Sequence, residues 1–188
     1  YVKDICEELV RLDHETEFNR IVFLGSEEIL RSIKSALPSS ITTTKELIDK
    51  IIDLGRSENE IQAEIDELIG ELEIAEEKNL WDKIKNELFA GGLGVTGLSE
   101  VIDYAESGRL DSVIVEKTLS VSGARCRKCD HLQIHLTQCE KCNSADLYEV
   151  GLVNELVELL TQSSASIEFC DRIEELHQLG GIAGLLRY

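Results

Sequence analysis

The spacing of apolar positions changes several times along this chain, and each change marks an element. Val2, Ile5, Cys6, Leu9 and Val10 recur at i, i+3, i+4, i+7 and i+8, which predicts a helix over about 2–12. Arg20-Ile21-Val22-Phe23-Leu24-Gly25 is a short continuous apolar run, the pattern of a buried strand. Ser26 then caps a helix ending near Leu37-Pro38, with Glu27 and Glu28 in its first turn, where the helix dipole favours acids. Residues 41–43 read as a candidate second strand. Thr43-x-x-Glu46 reads as a capping box for a helix ending at Gly55.

A second box, Ser57-x-x-Glu60, opens a longer pattern. Ile61, Ile65, Leu68, Leu72, Ala75, Leu80, Ile84 and Leu88 hold helical spacing until Gly91-Gly92. A helix of that length in a chain of 188 residues is expected to bridge two domains. Beyond it the elements alternate: helix 98–107, strand 111–116, strand 147–150, helix 152–160, strand 165–169, helix 171–179 and a closing strand 182–188 after two glycines. The predicted class is α/β, built as α+β layers.

Composition narrows the function. Hydrophobic residues are 43% and charged residues 30%, so the chain folds, and no apolar run approaches the roughly 18 residues of a membrane span. Against 37 acids stand 19 bases, a formal charge of −18, which argues against extended, sequence-specific nucleic-acid contact. No signal-peptide pattern opens the chain. It begins at Tyr1 and has no Met, as expected of a piece of a longer product.

Four of the six cysteines form Cys126-x2-Cys129-x9-Cys139-x2-Cys142. Two such knuckles bring four thiolates to the corners of a tetrahedron and suit a structural zinc ion. A complete thiolate set leaves no open position for metal catalysis. Arg127, Lys128 and Lys141 offset the charge of such a site. The alternatives are two disulfides, or replacement of a cysteine by His131 or His135, which otherwise read as polar loop residues. Cys6 and Cys170 sit on apolar patterns as core residues. His14 and His177 read as solvated. The string Gly92-Leu-Gly94-Val-Thr-Gly97 has dinucleotide spacing, but a helix precedes it where the fingerprint needs a strand. No Ser/His/Asp set, HExxH or phosphate-binding loop occurs, and the chain reads as non-enzymatic.

Several passages carry a resemblance. They are Glu76-Glu77-Lys78-Asn79-Leu80, Gly94-Val95-Thr96-Gly97-Leu98-Ser99-Glu100-Val101, Glu106-Ser107-Gly108-Arg109-Leu110-Asp111-Ser112-Val113-Ile114-Val115, the paired knuckles, and the closing Gly180-Gly181-Ile182-Ala183-Gly184-Leu185-Leu186-Arg187-Tyr188. In this order they resemble the archaeo-eukaryotic class I peptide chain release factor family, which is akin to Pelota. The resemblance implies a family C-terminal domain over 75–188, with a zinc minidomain at about 118–149 held by Cys126, Cys129, Cys139 and Cys142. Residues 1–74 resemble, more weakly, the last part of the middle domain. Implied partners are the ribosome and a translational GTPase, in termination or ribosome rescue in the cytoplasm. The family's Gly-Gly-Gln is not carried over: Gly91-Gly92 is followed by Leu93 and Gly180-Gly181 by Ile182. In the closing motif, Gly184 is expected to allow close approach of another backbone, and Arg187 to be the one charge available to a partner. The competing readings are an unrelated zinc-stabilised interaction domain and a nucleotide-dependent enzyme built on the glycine string.

Overall fold

A computed structural model of the chain describes residues 1–16, 18–53 and 55–188. It divides into two units, Tyr1–Ile69 and Gly70–Tyr188.

The first unit opens with helix α1 (Val2–Thr16), strand β1 (Arg20–Gly25) and helix α2 (Glu27–Ala36). The Ser26 hydroxyl accepts from the Ile29 N–H at 3.4 Å, as its capping position requires. Ile21, Phe23, Leu30, Ile33 and Ile41 form the core, with Ile5 and Leu9 of α1 packed on it. The structure corrects the reading of 41–55. The short helix α3 (Ser39–Thr42) replaces the expected strand, and strand β2 (Glu46–Ile51) replaces the expected helix. The Thr43 hydroxyl donates back to the Ser39 carbonyl at 2.6 Å, closing one helical turn instead of capping the next. β2 then pairs in parallel with β1, from Arg20 opposite Glu46 to Gly25 opposite Ile51.

Helix α4 (Glu58–Phe89) contains the boundary between the units. Glu60 accepts from the Ser57 N–H at 3.0 Å and its hydroxyl at 2.6 Å, the half of the capping box that reaches backwards. At the other end Gly91 takes φ 67°, and the Gly92 N–H bonds the Glu87 carbonyl at 2.8 Å, the glycine termination of a helix.

In the second unit α4 is followed by β3 (Gly94–Thr96), α5 (Leu98–Glu106), β4 (Leu110–Glu116), β5 (Ser122–Cys126), β6 (Leu132–Gln133), β7 (Leu147–Gly151), α6 (Leu152–Gln162), β8 (Ser166–Cys170), α7 (Glu174–Gln178) and β9 (Ile182–Leu186). The main sheet has the order β3-β9-β4-β8. Its central strands, β4 and β9, are buried along nearly their whole length because both faces of the sheet are covered. Alternate side chains of β4 and β9 go to opposite layers. Val113, Val115, Ile182 and Leu186 pack with Val101, Ile102, Leu152 and Leu156 of α5 and α6. Ile114, Ala183 and Leu185 pack with Trp81 and Ile84 of α4 and Leu176 of α7. Strands β6-β5-β7 form a separate antiparallel sheet, which carries Cys126 at the end of β5 and Cys129, Cys139 and Cys142 in its connecting loops. Among the described residues no helix is long and apolar enough to cross a membrane.

One electrostatic conflict lies at the sheet margin. Burial, with repulsion from Glu76, Glu77 and Glu73 of α4, raises the Glu168 carboxyl on β8 above its ordinary value. A raised carboxylate costs stability in full above its folded value, progressively less as pH falls from the folded to the unfolded value, and nothing below the unfolded value. Glu168→Gln is therefore expected to be more stable than the wild type at about pH 7, with the difference vanishing by about pH 4. Paired urea denaturation curves at the two pH values check this; a gain independent of pH contradicts it.

Candidate metal centre

Cys126 ends β5, and the chain turns back at Asp130 (φ 64°) just after Cys129; after Cys142 it turns again at Asn143 (φ 57°). The two knuckles are the same turn made twice. In the first, the Asp130 N–H bonds the Cys126 carbonyl at 2.9 Å and the Cys126 N–H bonds the His131 carbonyl at 3.0 Å. In the second, the Asn143 N–H bonds the Cys139 carbonyl at 2.9 Å and the Cys139 N–H bonds the Ser144 carbonyl at 2.8 Å. Asp and Asn are the non-glycine residues that best tolerate left-handed backbone, so Cys-x2-Cys-Asp and Cys-x2-Cys-Asn specify the turn as well as the thiols.

These turns aim all four Sγ atoms at one point, within 4.8 Å of one another. Cys126 and Cys142 sulfurs are 3.6 Å apart, and Cys129 and Cys139 sulfurs 3.5 Å. A disulfide spans about 2.05 Å, whereas tetrahedral metal–sulfur bonds of about 2.3 Å put sulfurs about 3.8 Å apart. All six cysteines are free thiols. The cluster thus has the donor set, spacing and burial that fit a thiophilic tetrahedral ion. Burial pushes the Cys126 thiol up, but the N–H groups of Cys129 and Lys128 and the adjoining thiols outweigh it and bring it down to about 6. Cys129 goes the other way. The His131 N–H favours its thiolate, yet burial and the three neighbouring sulfurs push it up to about 12. A set of touching thiols cannot all ionise without a cation among them.

The other singled-out residues fall as follows. His135 and His14 are exposed, and Cys6 and Cys170 are buried, as read from sequence. His131 is a polar loop residue, as read, but a buried one: it is 8% exposed and bonds Glu106 of α5. His177 is exposed, as read, and it also has a partner. Its Nδ1 lies 2.9 Å from the Oε2 of Glu116, a carboxylate only 3% exposed. Neither carboxylate was visible from sequence, because each is far along the chain from its histidine. Of the glycine string, Gly94 lets β3 run against α4: a Cβ there would meet the Ile84 carbonyl at 2.7 Å. Gly97 takes φ 82° and its N–H bonds the Ile182 carbonyl at 3.1 Å. Gly184 is not close to another backbone first of all. A Cβ there would meet the side chains of Leu110 at 2.7 Å and Val95 at 3.3 Å.

A second feature is a groove of about 530 Å³ between the later turns of α4 and the segment entering α7. Trp81 and Ile173 floor it, and Ile74 stands at its edge with 63% of its surface exposed. Its rim carries Glu77, Asp82, Asp171, Glu174 and Glu175 against Lys78 and Arg172. Lys85, with the Trp81 indole N–H, holds Glu175 below the usual carboxylate range.

Comparison with known proteins places this unit. The family model described as eRF1 domain 3 matches residues 74–188. A peptide chain release factor subunit 1 of Archaeoglobus fulgidus is 29% identical over 140 residues, 65% of this chain and 34% of the relative. The chain therefore spans about a third of that relative's length. The solved C-terminal domain of the peptide chain release factor from Methanosarcina mazei is 26% identical, with TM-score 0.51 over 71% of this chain and 96% of that one. An archaeal Pelota, solved in a model of its ribosome-bound state with ABCE1, shares the fold at 17% identity, TM-score 0.63, over 100% of this chain and 48% of its own. The knuckles, the glycine turn into α5 and the closing glycine strand all lie within the matched 74–188, and the chain belongs to the archaeo-eukaryotic peptide chain release factor and Pelota family, contributing its C-terminal domain.

Proposed function

We propose that this chain is the C-terminal part of a release-factor-like protein and acts as a non-catalytic scaffold that docks a translational GTPase on the ribosome, in termination or rescue. The observation that carries the reading is the match of 74–188 to the family's third domain. It leaves no place for an unrelated interaction domain. Ribosome binding is supported by the ribosome-bound Pelota of the same fold. The chain has no Gly-Gly-Gln, so its part is to bind and orient.

The groove is our candidate docking surface. An apolar floor ringed by charge is the anatomy of a protein interface, and an acidic rim favours a basic partner. Trp81 is the chain's single tryptophan and reports occupancy. Titration with an elongation-factor-like GTPase in its GTP form should give a saturable change in Trp81 fluorescence. Ile74→Asp should weaken binding at least tenfold, about 1.4 kcal/mol, with little change in melting temperature because Ile74 is exposed. Unaltered affinity in Ile74→Asp moves the docking surface elsewhere. No binding by the wild type removes the GTPase reading.

The same proposal assigns a structural zinc ion to Cys126, Cys129, Cys139 and Cys142. Four thiolates close its coordination, so the ion would supply folding energy to the minidomain and no chemistry.

A further inference from the structure

We propose that Glu106 is the positioning residue that couples closure of the metal loop to the α/β body of the second unit; the inference rests on the zinc reading above. Glu106 is the last residue of α5. Its Oε1 accepts from the Leu132 N–H at 2.8 Å, and His131 Nδ1 donates to its Oε2 at 2.9 Å. Lys141 Nζ lies 3.5 Å from the same Oε2. These three partners come from both halves of the cluster. His131 and Leu132 lie two and three residues after Cys129, and Lys141 sits between Cys139 and Cys142.

One carboxylate on a helix of the main body therefore holds both knuckles at once. The first knuckle is tied most closely, because the carbonyl of the same His131 takes the Cys126 N–H at 3.0 Å. The backbone that shapes the ligand turn and the side chain that grips α5 belong to one residue. Leu132, next to it, is buried in the core shared by α5 and α6. Glu106 is only partly accessible, so losing its partners would leave a poorly hydrated charge. Binding of metal and seating of Glu106 each order the same segment. Each must then favour the other by an equal coupling free energy. Residues that orient metal ligands from behind commonly change affinity 10- to 100-fold when altered.

Two readouts test this. Zinc affinity of Glu106→Gln, measured by competition with a chromophoric chelator, should fall about tenfold or more relative to wild type. Glu100→Gln, in the first turn of the same helix, serves as control and should leave affinity unchanged. In the wild type, hydrogen exchange should show the Leu132 amide and the last turn of α5 losing protection together when zinc is stripped. An affinity for Glu106→Gln within twofold of wild type overturns the coupling while leaving the metal site standing. So does unchanged protection of α5 in the stripped wild type, a result that holds even if Glu106→Gln fails to fold. A wild type that takes up no zinc overturns the metal reading itself, and the coupling with it.

Discussion

Stripping the metal, or changing Cys129 to Ser, is expected to disorder residues from about 123 to 148 while the β3-β9-β4-β8 sheet stays folded. The asymmetry follows from what each part has to hold it. The main sheet is covered on both faces by apolar layers. The cysteine sheet consists of three short strands, β6 having only two residues, and its buried apolar side chains are few: Ala124, Cys126, Leu132 and Cys139. Ordering each residue costs about 1–2 kcal/mol of backbone entropy. A structural zinc site supplies on the order of 10 kcal/mol or more, enough to decide whether such a segment folds. Zinc stoichiometry by elemental analysis, metal–sulfur distances of about 2.3 Å by X-ray absorption, and amide spectra with and without chelator check the expectation. Metal-free protein with a fully ordered minidomain contradicts it.

The second large effect is expected at the closing motif. Gly180 and Gly181 follow α7 with φ 101° and 71°, backbone that side chains with a Cβ rarely adopt. The Gly181 N–H bonds the Leu176 carbonyl at 2.9 Å and its carbonyl receives the Glu116 N–H at 2.9 Å, so the turn is pinned from both sides. A Cβ at 181 would also lie 3.2 Å from the buried Glu116 Oε2. Gly181→Val is expected to cost about 1–3 kcal/mol from strained backbone, and more if Glu116 has to give up His177. Arg187→Ala serves as the contrast. The structure corrects the idea that this charge is free for a partner: its guanidinium donates to the Ser163 carbonyl, at the C-cap of α6, at 2.7 Å. Cations at exposed helix ends contribute about 0.3–1 kcal/mol, so this substitution should stay within about 1 kcal/mol. Denaturant midpoints of the two variants separate the roles. Gly181→Val unfolding like wild type, or Arg187→Ala losing the fold, would reverse them.

Much of this molecule was legible along the chain, wherever neighbours in sequence carry the physics. The Ser57–Glu60 box, the apolar runs of β1, β4 and β9 and the Gly91 stop are local interactions, and each element stands where its own residues put it. The cysteines are local in the same sense, since each knuckle closes within five residues. The sequence also held an unread signal in Asp130 and Asn143, the left-handed residues that finish the two turns. Where the local signal was ambiguous, tertiary pairing decided. Leu47, Ile48, Ile51 and Ile52 satisfy helical spacing as well as a strand does, and only register with β1, some 26 residues earlier, selects the strand. β3 is three residues long inside a glycine string and exists because β9, far along the chain, lies beside it. The same holds for the carboxylates at the two histidines. Glu106 meets His131 across 25 residues and Glu116 meets His177 across 61. Composition marked all four as ordinary polar residues; the assembled layers bury one member of each pair, His131 and Glu116, and a polar group withdrawn from water must find its partner within the fold.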